Sequence, residues 1–149
     1  MEDLFFSDEH KALRQTIRQF VEREITPHVD RWEEEGDLPN AVFRRMGELG
    51  YLGLRFPEAY GGEGWDYMAA IARTEEIGRS GSLSLASAIG VHAEMATPPI
   101  LKFGSEELRQ RFLVPAIKGD HRQGAQDLTI RETARPGLGR GPWRRHSPR

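Results

Sequence analysis

The feature that most limits the fold of this chain is a helical hydrophobic period that runs to about Gly119 and then stops. Leu13, Ile17, Phe20, Val21 and Ile25 are spaced by threes and fours, which marks one face of an amphipathic helix. Ser7 precedes this run as an N-cap, with Asp8 and Glu9 in the first turn, where the helix dipole favours negative charge. Pro27 kinks or restarts the helix, Val29 and Trp32 continue its apolar side, and Glu33-Glu34-Glu35-Gly36 ends it. A second helix follows Pro39 with Val42, Phe43, Met46 and Leu49, and Gly50 is placed to close it in a left-handed conformation. Tyr51 to Phe56 reads as a short strand or an extended connection, and Pro57 to Trp65, with Gly61, Gly62 and Gly64, reads as a loop.

Asp66 caps a third helix carrying Met68, Ile71, Ala72 and Glu75 on neighbouring turns, broken by Gly78 to Gly81. A fourth runs from about Ser82 to Met95, with Leu85, Ile89, His92 and Met95 at helical spacing. Pro98-Pro99 bends the chain, and Ile100 to Phe103 extends it to Gly104. Ser105 caps a last helix whose apolar side is Leu108, Phe112, Leu113 and Ile117. The expected fold is all-α, a bundle of about five to six helices over residues 1–120.

Past Gly119 neither a 3.6-residue nor a 2-residue period persists, and Arg, Gly and Pro dominate from Arg131 onward. Charge changes at the same place. Residues 1–118 hold 14 Lys and Arg against 20 Asp and Glu, whereas residues 119–149 hold 7 Arg and 3 acids. A segment of this composition buries too little apolar area to offset its ordering entropy, so residues 121–149 are expected to be a disordered tail. Its arginines suit non-specific phosphate contacts, but Trp143 is its lone aromatic. A nucleic-acid role is therefore not expected.

The 149 residues contain no Cys, which excludes disulfides, zinc-thiolate sites and thiol catalysis. No run approaches the roughly 20 apolar residues that cross a bilayer. The acidic start Met1-Glu2-Asp3 lacks the basic region of a signal peptide, so a cytoplasmic protein is expected. The paired carboxylates Glu33 to Glu35, Glu75-Glu76 and Glu106-Glu107 fall on polar helix faces and read as solvated surface. His92 lies on the apolar side of its helix and reads first as a satisfied core histidine, with a ligand contact as the alternative. Gly61-Gly62-Glu63-Gly64 precedes a helix, as an anion cradle would. It lacks the Lys-Ser/Thr of a phosphate loop and the Gly-x-Gly-x-x-Gly spacing, so a tight turn is the better reading. No complete catalytic site is visible.

The order of these elements resembles the N-terminal helical domain of the acyl-CoA dehydrogenases over roughly residues 3–120. Three segments carry the resemblance. The first is Ile25-Thr26-Pro27 closing the opening helix, with Trp32 and Pro39. The second is Leu49-Gly50-Tyr51-Leu52-Gly53-Leu54 leading to Pro57-Glu58-Ala59-Tyr60-Gly61-Gly62-Glu63-Gly64. The third is Pro99-Ile100-Leu101-Lys102-Phe103-Gly104-Ser105-Glu106-Glu107-Leu108 followed by Leu113-Val114-Pro115-Ala116-Ile117-Lys118-Gly119-Asp120.

The resemblance implies FAD-dependent α,β-dehydrogenation of acyl-CoA thioesters, with electrons passed to an electron-transfer flavoprotein. It also implies that the fourth helix faces the acyl chain. Ser87, Ala88, Val91 and Met95 are then the candidate pocket-wall positions, internal helix packing being their other reading. No catalytic base, flavin contact or metal ligand carries over. After Asp120 the family's Thr-Glu-Pro-x-x-Gly-Ser-Asp segment is expected, and the chain instead reads Thr129-Ile130-Arg131-Glu132-Thr133-Ala134-Arg135-Pro136.

A frameshift near residue 121 is one explanation. Gly137 to Arg140 written GGG-CTC-GGA-CGT, read one base later, contains codons for Gly-Ser-Asp, and the nucleotide sequence decides the matter. On this reading the chain is a family fragment, inactive alone, with exposed apolar surface that favours self-association. The alternative is a non-catalytic helical module that pairs with an intact homologue or another partner.

Overall fold

Prolines lie inside helical stretches of this chain at three places, Thr26-Pro27, Thr97-Pro98-Pro99 and Val114-Pro115. A proline inside an α-helix removes one hydrogen bond and drives its ring against the carbonyl four residues back. In the computed structural model, which describes residues 5–121, each place is preceded by a π-helical turn: Val21–Ile25, Val91–Ala96 and Arg109–Leu113. The wider turn moves the obstructing carbonyl aside, so the helix continues through the proline. At the first two places the threonine completes the repair. Its N–H and its Oγ1 both donate to the carbonyl five residues back, Thr26 to Val21 (Oγ1 at 3.1 Å) and Thr97 to His92 (Oγ1 at 2.6 Å).

The described residues therefore form five continuous α-helical stretches, a separate 3-10 turn at Glu58–Tyr60 and no strand. The first contains α1 (Asp8–Phe20) and α2 (Val29–Glu35), joined through the π-turn and a 3-10 turn at Thr26–His28. The second is α3 (Asn40–Glu48) and the third α4 (Tyr67–Gly78). The fourth joins α5 (Leu83–Gly90) to α6 (Thr97–Phe103). The fifth joins α7 (Glu106–Leu108) to α8 (Val114–Ile117). The expected all-α bundle is thus the observed fold. Its caps are those expected: Ser7 Oγ accepts from His10 N, Asp66 Oδ1 from Met68 N and Ala69 N, and Ser105 Oγ from Leu108 N. The expectation of a disordered tail over 121–149 lies, apart from His121, outside the described residues.

Three expectations change. Tyr51 to Phe56 is neither strand nor extended but a chain of turns, with Gly53 N donating to Gly50 O and Phe56 N to Gly53 O. Pro98-Pro99 does not interrupt its helix, for the reason just given. Met95 is not on the buried side with Leu85, Ile89 and His92. The π-turn holds an extra residue, which rotates Met95 outward to 68% exposure.

The main core is built from Ile17, Phe20, Val21 and Ile25 of the first stretch, Val42, Phe43 and Met46 of α3, and Leu85 and Ile89 of α5. A smaller cluster joins Phe56 to Leu113 and Ile117. The end of the bundle is fixed by reciprocal glycine contacts. A Cβ on Gly47 of α3 would overlap the Lys118 carbonyl, and a Cβ on Gly119 would overlap the Phe43 carbonyl. Gly119 also has φ +74°, a conformation that costs an L side chain strain. Backbone therefore touches backbone here, and no larger residue leaves room for it.

Gly47→Ala is expected to destabilise the protein by about 2–4 kcal/mol in urea unfolding, as overpacking against a rigid carbonyl does. Gly78→Ala places its methyl in open space. It is expected to be neutral or stabilising by up to about 1 kcal/mol.

Candidate functional site

The residues with possible chemistry separate into three places. The first is the N-terminal end of α1 and α4. His10 Nδ1 accepts from Ser7 N–H (3.2 Å) and from the Ser7 hydroxyl (2.8 Å), which leaves Nε2–H to donate to Asp66 Oδ1 at 2.9 Å. A Ser-His-Asp chain suggests nucleophilic catalysis. Here both ends serve as helix caps, since Ser7 Oγ also receives His10 N–H and Asp66 receives two N–H groups of α4. The chain ties the start of α1 to the start of α4, with the Trp65 ring 5.6 Å from the imidazole. The sequence hid this link, because His10 and Asp66 are 56 residues apart. Beside it lies an open cleft of about 320 Å³ lined by Glu9, His10, Glu63 and Trp65.

The glycine loop next to it is a tight turn and not an anion cradle. Gly61 N donates to Glu58 O, Gly62 N to Pro57 O, Glu63 N to Gly53 O, Gly64 N to Phe56 O, and Trp65 N to Leu54 O. Every N–H that would receive a phosphate is already used. A Cβ on Gly62 would overlap the Phe56 carbonyl, so this glycine serves a close backbone approach. A flavin dinucleotide requires free donors for its pyrophosphate. The glycine loop does not offer them.

The second place is a pair of buried ionic clusters along α4. Glu76, read from sequence as solvated, is fully buried. Arg18 holds it by Nε and Nη2 at 2.9 Å each, and Arg79 and Arg14 lie at 3.3 and 3.9 Å. The hydrogen bonds from Arg18 are the main reason its carboxyl lies below the usual range. The end of α4 is thereby tied to α1. Arg73 is 1% exposed. It donates from Nη1 to Tyr51 O (2.9 Å) and from Nη2 to Glu94 Oε1 (2.5 Å), while Arg55 Nη1 donates to Glu94 Oε2 (2.6 Å). Burial pulls the Arg73 pKa down against the pull of Glu94. Of the other carboxylate groups, Glu33 accepts from Ser82 and Ser84 hydroxyls at 2.5 and 2.6 Å, and Glu106 from Tyr60 OH at 2.8 Å. Each of these carboxylates is thus engaged by arginine or hydroxyl donors. His92 is a core residue: it is 1% exposed, stands edge-on to Phe43, and its Nε2 is 3.0 Å from Ala116 O.

The third place is the outer side of the fourth stretch. Ser87 is exposed, Val91 is 38% and Met95 68% exposed, and Leu83, one turn earlier, is 78% exposed. These four residues recur every fourth position and form an apolar stripe interrupted only by the Ser87 hydroxyl. Ala88 is half-buried and packs against the core, so internal packing describes it but not the other three candidates.

The Glu76 cluster gives a pH dependence with a definite sign. Its folded pKa is depressed below the unfolded value of about 4.5. Its stabilisation is therefore complete above that value and is lost as pH falls through the folded pKa. Glu76→Gln is expected to flatten the acid limb of the stability curve and to cost about 1–3 kcal/mol at neutral pH, since the buried side chain loses its charge-assisted hydrogen bonds to the half-exposed Arg18. Urea unfolding between pH 3 and 7 reads both effects.

Comparison with known proteins agrees with this architecture. Residues 7–120 match the family model described as acyl-CoA dehydrogenase, N-terminal domain. A probable acyl-CoA dehydrogenase of Bacillus subtilis, YngJ, is 37% identical over 112 residues, covering 74% of this chain and 29% of that protein. The crystal structure of an acyl-CoA dehydrogenase from Geobacillus kaustophilus superposes with a TM-score of 0.76 at 33% identity, over 80% of this chain and 31% of that one. The acyl-CoA dehydrogenase of Bacillus anthracis, crystallised with FAD, gives 0.73 at 32% identity, over 80% and 20%. The chain thus spans about three tenths of the curated relative's length. No helix among the described residues is long and apolar enough to cross a membrane. From the match over residues 7–120 and the shared helical architecture, the chain belongs to the acyl-CoA dehydrogenase family.

Proposed function

We propose that residues 7–120 form the acyl-facing wall of an acyl-CoA dehydrogenase and supply neither its base nor its flavin cradle. The reaction of the whole enzyme is FAD-dependent α,β-dehydrogenation of an acyl-CoA thioester, with an electron-transfer flavoprotein as acceptor. The observation that carries this reading is the stripe of Ser87, Val91 and Met95. Apart from the Ser87 hydroxyl it is apolar, lies on one face, and is left uncovered by a bundle that buries Leu85 and Ile89 on the same helix. An exposed apolar surface of this kind marks a place where something apolar binds.

The division of labour follows from the preceding geometry. The buried carboxylate of the bundle is held by arginines, and the glycine-loop donors are bonded to carbonyls. Neither is available to take an α-proton or to hold a dinucleotide. The chain alone is therefore expected to bind acyl groups weakly and to turn none over.

The full chain, expressed with excess riboflavin and purified, is expected to be colourless and to show no reduction of an artificial electron acceptor with butyryl-CoA. A stoichiometric flavin absorbance band, or turnover, would contradict this reading. Met95→Asp is expected to weaken binding of hexanoyl-CoA about tenfold, by placing a charge on apolar surface, with no loss of thermal stability at this exposed position.

A further inference from the structure

The apolar stripe carries an oxidisable atom near its middle. On the fourth stretch Leu83, Ser87, Val91, Met95, Pro99 and Phe103 recur every fourth position, and all are exposed. None is charged, and the Met95 thioether stands between Val91 and Pro99. Met95 is 68% exposed, whereas Met46 is fully buried in the main core and Met68 is half-buried. The difference comes from the backbone. The π-turn before Thr97-Pro98 rotates Met95 away from Leu85, Ile89 and His92, which stay inside. The bundle therefore keeps one methionine sulfur sealed and places another on the surface read above as the acyl wall.

A thioether gives two electrons to a peroxide. The sulfur lone pair attacks one peroxide oxygen, and the S–O bond forms as the O–O bond breaks. The proton on the transferred oxygen passes to the departing hydroxide, so hydrogen peroxide yields sulfoxide and water. The product replaces a flexible apolar side chain with a polar, chiral one. The chain has no cysteine, so no thiol within it competes for the oxidant or reverses the change. Glu94, next to Met95, already has its carboxylate taken by Arg73 and Arg55. The sulfoxide dipole is thus the new polar element on the stripe. We propose that Met95 is a peroxide-sensitive modification site, whose sulfoxide turns the acyl wall from apolar to polar and weakens its hold on an acyl group. The proposal rests on the reading of the stripe as an acyl wall and adds a redox control to it.

The test treats the full chain with dilute hydrogen peroxide and follows each methionine by peptide mass spectrometry. Met95 is expected to gain one oxygen about tenfold faster than Met46, because only the exposed sulfur is reached. Calorimetric titration with hexanoyl-CoA before and after treatment is expected to show binding weakened about tenfold, the effect of a polar group on an apolar contact. Methionine sulfoxide reductases supplied with a dithiol are expected to restore it, returning the thioether and water as the dithiol closes to a disulfide. Met95→Leu removes the sulfur and keeps the surface apolar. Whatever its starting affinity, it is expected to keep that affinity through the same treatment. Thermal melting checks that the treated chain stays folded.

Oxidation of Met46 as fast as Met95 would overturn the site. Unchanged hexanoyl-CoA binding after Met95 is oxidised would overturn the redox control and leave the acyl wall standing. A loss of affinity in peroxide-treated Met95→Leu would assign the effect to another residue and overturn the proposal likewise. No binding of hexanoyl-CoA by the untreated chain would overturn the wall reading and this proposal together.

Discussion

The described bundle depends on one place where backbone meets backbone. Gly47 lies against the Lys118 carbonyl and Gly119 against the Phe43 carbonyl, so α3 and the end of the fifth helical stretch hold each other through two reciprocal contacts. Gly53 adds a third approach, against the Ile117 side chain. These contacts bring Leu113, Ala116 and Ile117, all nearly inaccessible to solvent, into the interior. Ala116 then offers its carbonyl to His92, which faces Phe43. The fourth stretch is thereby fixed by a core histidine on its inner side, and its outer side is the apolar stripe. The position of the candidate wall follows from glycines on other helices.

The π-turns do comparable work along each helix. Without them the prolines at 27, 98 and 115 would break the three stretches that contain them. With them, each stretch continues but changes phase. That phase change carries Met95 out of the core and onto the stripe beside Val91. The same turn places Glu94 between Arg73 and Arg55. A single local distortion, required by Thr97-Pro98, thus creates the apolar surface and seats Glu94 between its two arginines.

The sequence made the helical class, the caps at Ser7, Asp66 and Ser105 and the left-handed Gly50 legible, because each depends on neighbours within four residues. The family resemblance was legible for the same chain segments. The buried face of α4 was not. Its interior consists of Ala69, Ala70, Ala72, Arg73, Glu76 and Ile77, of which the sequence pattern picks out only Ala72. Arg73 and Glu76 are inside because partners arrive from distant positions, Glu94 for one and Arg18 for the other. Period counting has no access to such pairs. The exposure of Met95 was missed for a different reason, since a uniform 3.6-residue helix contains no π-turn. The Thr-Pro steps were the available signal.

A wall that binds without reacting is a specific physical claim about where an acyl chain touches this bundle. An amide-resolved NMR titration of the full chain with hexanoyl-CoA tests it most directly. The expected result is a set of saturable shifts concentrated at Ser87, Ala88, Val91 and Met95, with the glycine loop and α1 unmoved. Shifts centred instead on Gly61 to Asp66, or none along the stripe at saturating ligand, would contradict it.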